Sequence, residues 1–253
     1  MEIITLNKNN IDNEHICCAI SDKKCREGYE KKKGLLKEEI DKGYRFKKFN
    51  VNHKVFIEYC PSDISWLPIN ADNYMVINCF WVAGMHAGKG NGKKLLDECF
   101  KAAENMNGVV VLTSSKKKSY MSDKRFFIKQ GFEVCDTADP YFELLVYKNK
   151  KDAEKPTFKD SVKKAIPKND KGLCLYYSNF CPFTEHYAKV LTELADKSNV
   201  PIEIIKINNR EEGIANPSPF IIYSLFYNGK FLTHEILNEK KFEKLILAEK
   251  MNI

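Results

Sequence analysis

The segment Tyr74–Val82 (YMVINCFWV) is apolar nearly throughout and runs directly into Ala83-Gly84-Met85-His86-Ala87-Gly88-Lys89-Gly90-Asn91-Gly92. A continuous apolar run bounded by a turn is the pattern of a strand buried on both faces. Beyond the turn, Leu95, Leu96, Cys99, Phe100 and Ala103 share one face of a helix over Lys93 to Asn105. The chain is thereby committed to a core strand, a glycine-rich loop and an amphipathic helix in direct succession. Glycines at 88, 90 and 92 remove side chains where a ligand would approach the backbone. The first amides of a helix lack intrahelical partners and point outward, and the helix dipole favours negative charge there. The loop therefore reads as a cradle for a diphosphate. It is neither the dinucleotide fingerprint G-x-G-x-x-G nor the P-loop G-x-x-x-x-G-K-[ST]. A turn that merely packs strand against helix is the other reading of these residues.

Around this unit, strands are predicted over Glu2 to Leu6, Tyr44 to Val51, Lys54 to Cys60, Ser65 to Ile69, Val109 to Thr113, Phe132 to Asp136 and Tyr141 to Tyr147. Helical spacing covers Asn10 to Ile20, Arg26 to Lys42 before Gly43, and Asp123 to Gln130 before Gly131. The order predicts an α/β (α+β) fold in which residues 1–148 build a mixed sheet with flanking helices.

Residues 149–171 are rich in lysine, carry Pro156 and Pro167 and have few apolar anchors, the pattern of a linker with a helical turn near Asp160 to Lys164. A smaller α/β unit is predicted over residues 172–253. It begins with a strand, Leu173 to Tyr177, and Cys181-Pro182-Phe183-Thr184 at the start of a helix over Glu185 to Asp196. A strand over Ile202 to Ile207 follows. Phe220 to Tyr227 and Phe231 to Ile236 are then joined by Asn228-Gly229, a strong hairpin signal, and a helix over Lys240 to Lys250 comes last. A unit of ~80 residues is only marginally stable on its own core.

Several classes are argued against. No apolar run approaches the ~20 residues of a membrane helix, and MEIITLNKNN lacks the basic, apolar and small-residue pattern of a leader, so a cytoplasmic location is expected. The 9 cysteines are odd in number and irregular in spacing, with no C-x-x-C pair. Reduced thiols and no metal centre are expected. The net charge of +7 includes the lysine triplets Lys31 to Lys33 and Lys116 to Lys118. These read as solvated faces of a helix and a loop, with a phosphate-bearing ligand as the functional alternative. No RNP-type aromatic pattern accompanies them, which argues against nucleic acid.

The stretch Ala87-Gly88-Lys89-Gly90-Asn91-Gly92 resembles motif A of the GNAT acetyltransferases, Gln/Arg-x-x-Gly-x-Gly/Ala, with alanine at the leading position. Lys129-Gln130-Gly131-Phe132 resembles the Gly-Phe ending of a late helix in that family, and the likeness spans residues 1–148. The whole chain is similar to YoaP-type proteins, which join a GNAT domain to a small C-terminal domain. Stretches that carry this likeness include Ala19-Ile20-Ser21-Asp22-Lys23-Lys24, Phe56-Ile57-Glu58-Tyr59 and Pro140-Tyr141-Phe142-Glu143-Leu144-Leu145. The resemblance implies acetyl-CoA as co-substrate and a small-molecule or peptide amine as acceptor, with a homodimer possible. Amides of Ala87, Gly88, Lys89, Gly90, Asn91, Gly92 and Lys93 would hold the diphosphate, and backbone groups of Phe80, Trp81 and Val82 the pantetheine arm and thioester.

The family commonly places its leaving-group acid, a tyrosine, four residues before the Gly of the Gly-Phe ending. This chain has Phe127 there, which carries no proton to give. Tyr120 or Tyr141 would take the role, or a bound water. Glu58 is the candidate base, with Glu143 behind it, both otherwise read as exposed strand residues. His86, next to the loop, reads as a solvated turn residue, with contact to the cofactor as the alternative. The C-terminal unit is similar to a thioredoxin or glutaredoxin fold, with Cys181 at a helix start and Pro219 in the place of a facing cis-proline. Thr184 occupies the position of the resolving cysteine, which argues against dithiol chemistry. Three functions follow: acetyl transfer to an amine, with the C-terminal unit helping to bind or select the substrate; a thiol-redox or thiol-binding role of Cys181 beside a ligand-sensing GNAT domain; or nonenzymatic partner binding through the lysine triplets.

Overall fold

A computed structural model describes residues 2–16 and 18–251, with side chains described to residue 246. The chain runs β1 Ile3–Thr5, α1 Arg26–Lys42, β2 Arg45–Phe49, β3 Val55–Pro61, β4 Ile69–Asn70, β5 Tyr74–Val82, α2 Asn91–Ala102 and β6 Gly108–Ser114. It continues with α3 Lys124–Lys129, β7 Glu133–Ala138, β8 Phe142–Lys148, β9 Thr157–Phe158, α4 Asp160–Lys164, β10 Leu173–Ser178 and α5 Thr184–Lys197. The last elements are β11 Ile202–Ile207, α6 Arg210–Ile214, β12 Tyr223–Tyr227, β13 Lys230–Thr233 and α7 Glu239–Met251.

The fold is mixed α/β. A seven-stranded sheet has the order β1-β2-β3-β5-β6-β8-β7, and a four-stranded sheet has the order β11-β10-β12-β13. In the large sheet only β5 and β6 are parallel. Helix α2 packs its Leu95, Leu96 and Cys99 with Val109 and Val111 on one face. Helix α1 packs Tyr29 and Leu36 on the other, and its C-terminus is closed by Gly43 at φ +119°, whose amide donates to the Glu39 and Ile40 carbonyls.

The small sheet has no exposed face to spare. Leu173, Leu175, Tyr177 and Leu225 pack against α5 and α7, while Cys174, Tyr176 and Phe226 join the core shared with α1 and the large sheet. Alternate residues of β10 and β12 thus serve two cores, which relieves the marginal core expected of this unit. Asn228 and Gly229, at φ +47° and +79°, make the tight β12–β13 turn.

Three expectations are corrected. The Asn10 to Ile20 region forms successive turns rather than a helix; Cys17 lies outside the described residues. The Asn7 carboxamide oxygen accepts from the Asn9 and Asn10 amides and the Asn10 one from the Asn7 amide, so side chains replace helical acceptors. Of Ser65 to Ile69 only Ile69 is in a strand, because Trp66 and Leu67 are loop residues buried in the core, Trp66 edge-on to Phe180. The segment predicted as a linker is packed: β9 pairs with β4, and Phe158 and Val162 are buried in the common core. Its helical turn is where the sequence places it.

Candidate active site

The β5–β6 ladder runs from Tyr74↔Gly108 to Ile77↔Val111 and then stops, although β5 continues to Val82 and β6 to Ser114. On its other edge β5 stays paired with β3 as far as Val82, with a register shift beside Asn78. The strands part there, and the β5 backbone from Asn78 onward faces a gap instead of a partner.

The glycine loop lies at the end of this gap. Gly88 and Gly90 sit at φ +72° and +75°, a region that side-chain-bearing residues rarely adopt, and no atom lies within 4 Å of where a Cβ would stand on either. The first loop-to-helix bond is the Lys94 amide to the Gly90 carbonyl at 3.1 Å. Among the described residues the amides of Gly88 to Lys93 donate to no protein acceptor, so they remain available to a ligand. Asn91, buried, pins the turn by donating from Nδ2 to the His86 carbonyl at 2.9 Å. Gly92 has a different reason: a Cβ would press on the Phe80 and Phe126 rings at 3.2 and 3.1 Å.

Two hollows meet at Trp81, Lys117 and Met121. One, about 590 Å³, is lined by Phe80, Val82, Ala87, Gly88, Gly90, Gly92 and Lys93 with residues of the α3 approach. The other, about 630 Å³, lies between the two sheets and reaches Tyr120 and Cys181. Lys89 and Asn91 do not line the first. Ala87 does, but its amide closes a short turn by donating to the Gly84 carbonyl at 3.1 Å, so it is not one of the free donors.

Tyr120, 41% exposed and at φ +63°, presents its side chain to the 630 Å³ cavity. Burial, with Cys181 nearby, pushes its phenol up to about 12. Tyr141 does not line either hollow. Its hydroxyl lies 2.6 Å from His234 Nδ1, and His234 Nε2 lies 2.9 Å from the Ser119 carbonyl. A carbonyl accepts only, so Nε2 carries the ring proton and Nδ1 accepts from Tyr141. Tyr141 therefore spends its proton on His234, whose own proton in turn holds the Ser119 carbonyl.

Glu58 is also corrected. It is buried, not exposed, its Oε1 bonded to Lys32 Nζ at 2.6 Å and its Oε2 to the Tyr44 hydroxyl at 2.8 Å. Both oxygens being occupied, Glu58 is a structural carboxylate. Lys32, the middle of the first lysine triplet, is accordingly core and not a solvated residue, while Lys117 and Lys118 of the second line the cavity. Glu143 pairs with Lys124 at 2.6 Å. His86 is half-buried, edge-on to His53 with centroids 5.2 Å apart, so it is no solvated turn residue. Phe127 is buried among Phe80, Phe126 and Phe132.

Cys181 faces the cavity from the small unit, beside Cys18 and Cys79 of the large one. Burial pushes its thiol up to about 12, and Cys18 adds to this. A helix-start cysteine activated for thiolate chemistry would move the opposite way. Pro219 follows a trans bond, since the cis bond among the described residues is Asp139–Pro140. The small unit encloses one side of the cavity. The signal of this in the sequence was the run of apolar residues on both faces of β10 and at Phe180.

A parallel strand pair that parts beside an open glycine loop at a helix N-terminus is the arrangement of the GNAT acyltransferases. The uncharacterized N-acetyltransferase YoaP of Bacillus subtilis (strain 168) is 40% identical over 245 residues, 96% of this chain and 97% of that protein. The YoaP-like family pattern matches residues 201–244. The chain belongs to the YoaP family of N-acetyltransferases. Among solved structures, the PaiA N-acetyltransferase of Thermoplasma acidophilum in complex with coenzyme A is 18% identical, with a TM-score of 0.40 over 58% of this chain and 99% of that one. Ard1 of Thermoplasma volcanium is 16% identical, with a TM-score of 0.40 over 59% and 98%.

Proposed function

We propose that the chain transfers the acetyl group of acetyl-CoA to an amine. The observation that carries this is the β5 edge, unpaired from Asn78, leading into free amides from Gly88 to Lys93 with open space above Gly88 and Gly90. Those amides, at the positive end of α2, suit a diphosphate. The β5 backbone groups of Phe80 to Val82 suit the amide-bearing pantetheine arm, as an added strand pairs with a sheet edge.

Acetyl-CoA supplies an acyl carbon already activated by its sulfur. The rest falls to the protein. The arm held along β5 would bring that carbon to Trp81, where the groove opens into the 630 Å³ cavity that would receive the amine. Oriented main-chain donors would stabilise the oxygen as charge develops on it. Tyr120, held protonated at neutral pH, would donate to the departing sulfur as the carbon–nitrogen bond forms and the carbon–sulfur bond breaks, while the proton shed by the nitrogen passes to water and Tyr120 is reprotonated from solvent. The small unit would serve as the cavity's outer wall, a thioredoxin-like frame used for shape and not for thiol exchange.

Titration calorimetry of the full chain with acetyl-CoA tests the reading. Saturable binding with about one site per chain is expected. No heat at millimolar acetyl-CoA would overturn it.

A further inference from the structure

The cavity between the sheets carries one sign of charge. Lys32, Lys54, Lys117, Lys118 and Lys241 line it with Trp81 and Tyr120, and among the described residues no aspartate or glutamate does. Some of these charges are answered: Lys241 pairs with Glu235 at 3.0 Å, and Lys118 Nζ lies 4.3 Å from the centre of the Tyr141 ring. Lys54 and Lys117 enter no ion pair among the described residues, and Glu58 behind the wall is consumed by Lys32 and Tyr44. In the adjoining groove Asp123 is held by Arg125 at 2.7 Å.

We infer that the acceptor is an amine that also bears an acidic group, of the amino-acid type, with an apolar body; this rests on the acetyl-transfer reading. An anion answers the unpaired lysines, and the walls of Trp81, Tyr120 and Phe180 suit an apolar substituent. The same lysines disfavour a second ammonium, which excludes polyamines and aminoglycosides as preferred acceptors. They also lower the pKa of the reacting ammonium, and so enlarge the neutral fraction that attacks.

The test is calorimetric binding to the full chain saturated with coenzyme A, so that no turnover is required. Phenylalanine and leucine are compared with their amides, 2-aminoethylphosphonate serves as a second anionic arm, and spermidine as the cationic one. The acid of each pair is expected to bind at least about tenfold tighter than its amide. The phosphonate arm decides whether the site takes any anion or a carboxylate. Lys54→Gln is expected to narrow the ratio and Lys54→Arg to keep it. Equal affinities, a preference for spermidine, or no binding by any amine would overturn the inference while leaving coenzyme A binding intact. Failure of coenzyme A itself to bind would overturn the transfer reading, and this with it.

Discussion

Lys32 on α1 and Glu58 on β3 meet at 2.6 Å with 1% of each side chain exposed, and the Tyr44 hydroxyl bonds the second carboxylate oxygen. The pair ties the helix to the sheet directly behind the cavity. A buried ion pair adds little over an apolar pair, but removing one partner strands the other. Lys32→Met is therefore expected to destabilise the chain by about 3–5 kcal/mol. Lys32→Met with Glu58→Gln should recover most of this, since glutamine still accepts from Tyr44. Urea midpoints at unchanged m-value measure both; a single variant as stable as the parent would refute the assignment.

Tyr120 and Tyr141 are separated by what their hydroxyls face. Tyr120→Phe is expected to lower kcat by about 10²-fold or more with acetyl-CoA affinity retained. Tyr141→Phe loses a bond to His234 and should cost about 1 kcal/mol of stability, with kcat within about threefold. Steady-state kinetics on the two variants, with calorimetry, reverses the roles if Tyr141 proves the more damaging.

His234 is held below the usual histidine pKa by burial. Between its folded value and about 6.5 in the unfolded chain, only the unfolded form takes up the proton. Stability is thus independent of this group above pH ~6.5 and declines as pH falls below it, by at most about 1.4 kcal/mol per unit. His15, also lowered by burial, acts in the same sense. His234→Gln should therefore flatten the decline between pH 6.5 and 5 without abolishing it. Unfolding free energies at several pH values check this, and an unchanged slope contradicts it.

How far the site was legible follows from which interactions are local. The strand, the loop and α2 are set by residues next to one another, so periodicity and glycine spacing placed them. Glu58 and Lys32 were misread because an ion pair between α1 and β3 leaves no mark on either segment's pattern. Tyr141 was misread for the same reason, its partner His234 lying in the bend after β13 of the other unit. The Asn10 to Ile20 turns were not legible because Ile11 and Ile16 are anchored in the core by contacts distant in sequence, which a loop can make as well as a helix. Phe127 was identified correctly as lacking a proton, and its burial among phenylalanines gives the reason.

Cys181 decides between the two chemistries read from the sequence. With its thiol near 12, very little thiolate is present at neutral pH. Alkylation by iodoacetamide, read at Cys181 by peptide mass mapping, is expected to be slow at pH 7.5 and to keep accelerating through pH 10. A rate that levels off near pH 7 would restore the thiol reading.

Gly90 supplies the sharpest test of the loop. Its φ of +75° is strained for any residue with a Cβ, and the space above it is open toward the groove. Valine there would add β-branching in the left-handed region, costing about 1–2 kcal/mol, and would place methyl groups where the diphosphate must approach the amides. Gly90→Val is expected to weaken acetyl-CoA binding by more than tenfold. Gly34, by contrast, lies in α1 with nothing within 4 Å of a Cβ. Gly34→Ala should raise stability by about 0.5–1 kcal/mol through helix propensity and leave that affinity unchanged. The two variants separate loss of the cradle from any general effect of filling a glycine, and equal acetyl-CoA affinities in both would show that the loop does not hold the diphosphate.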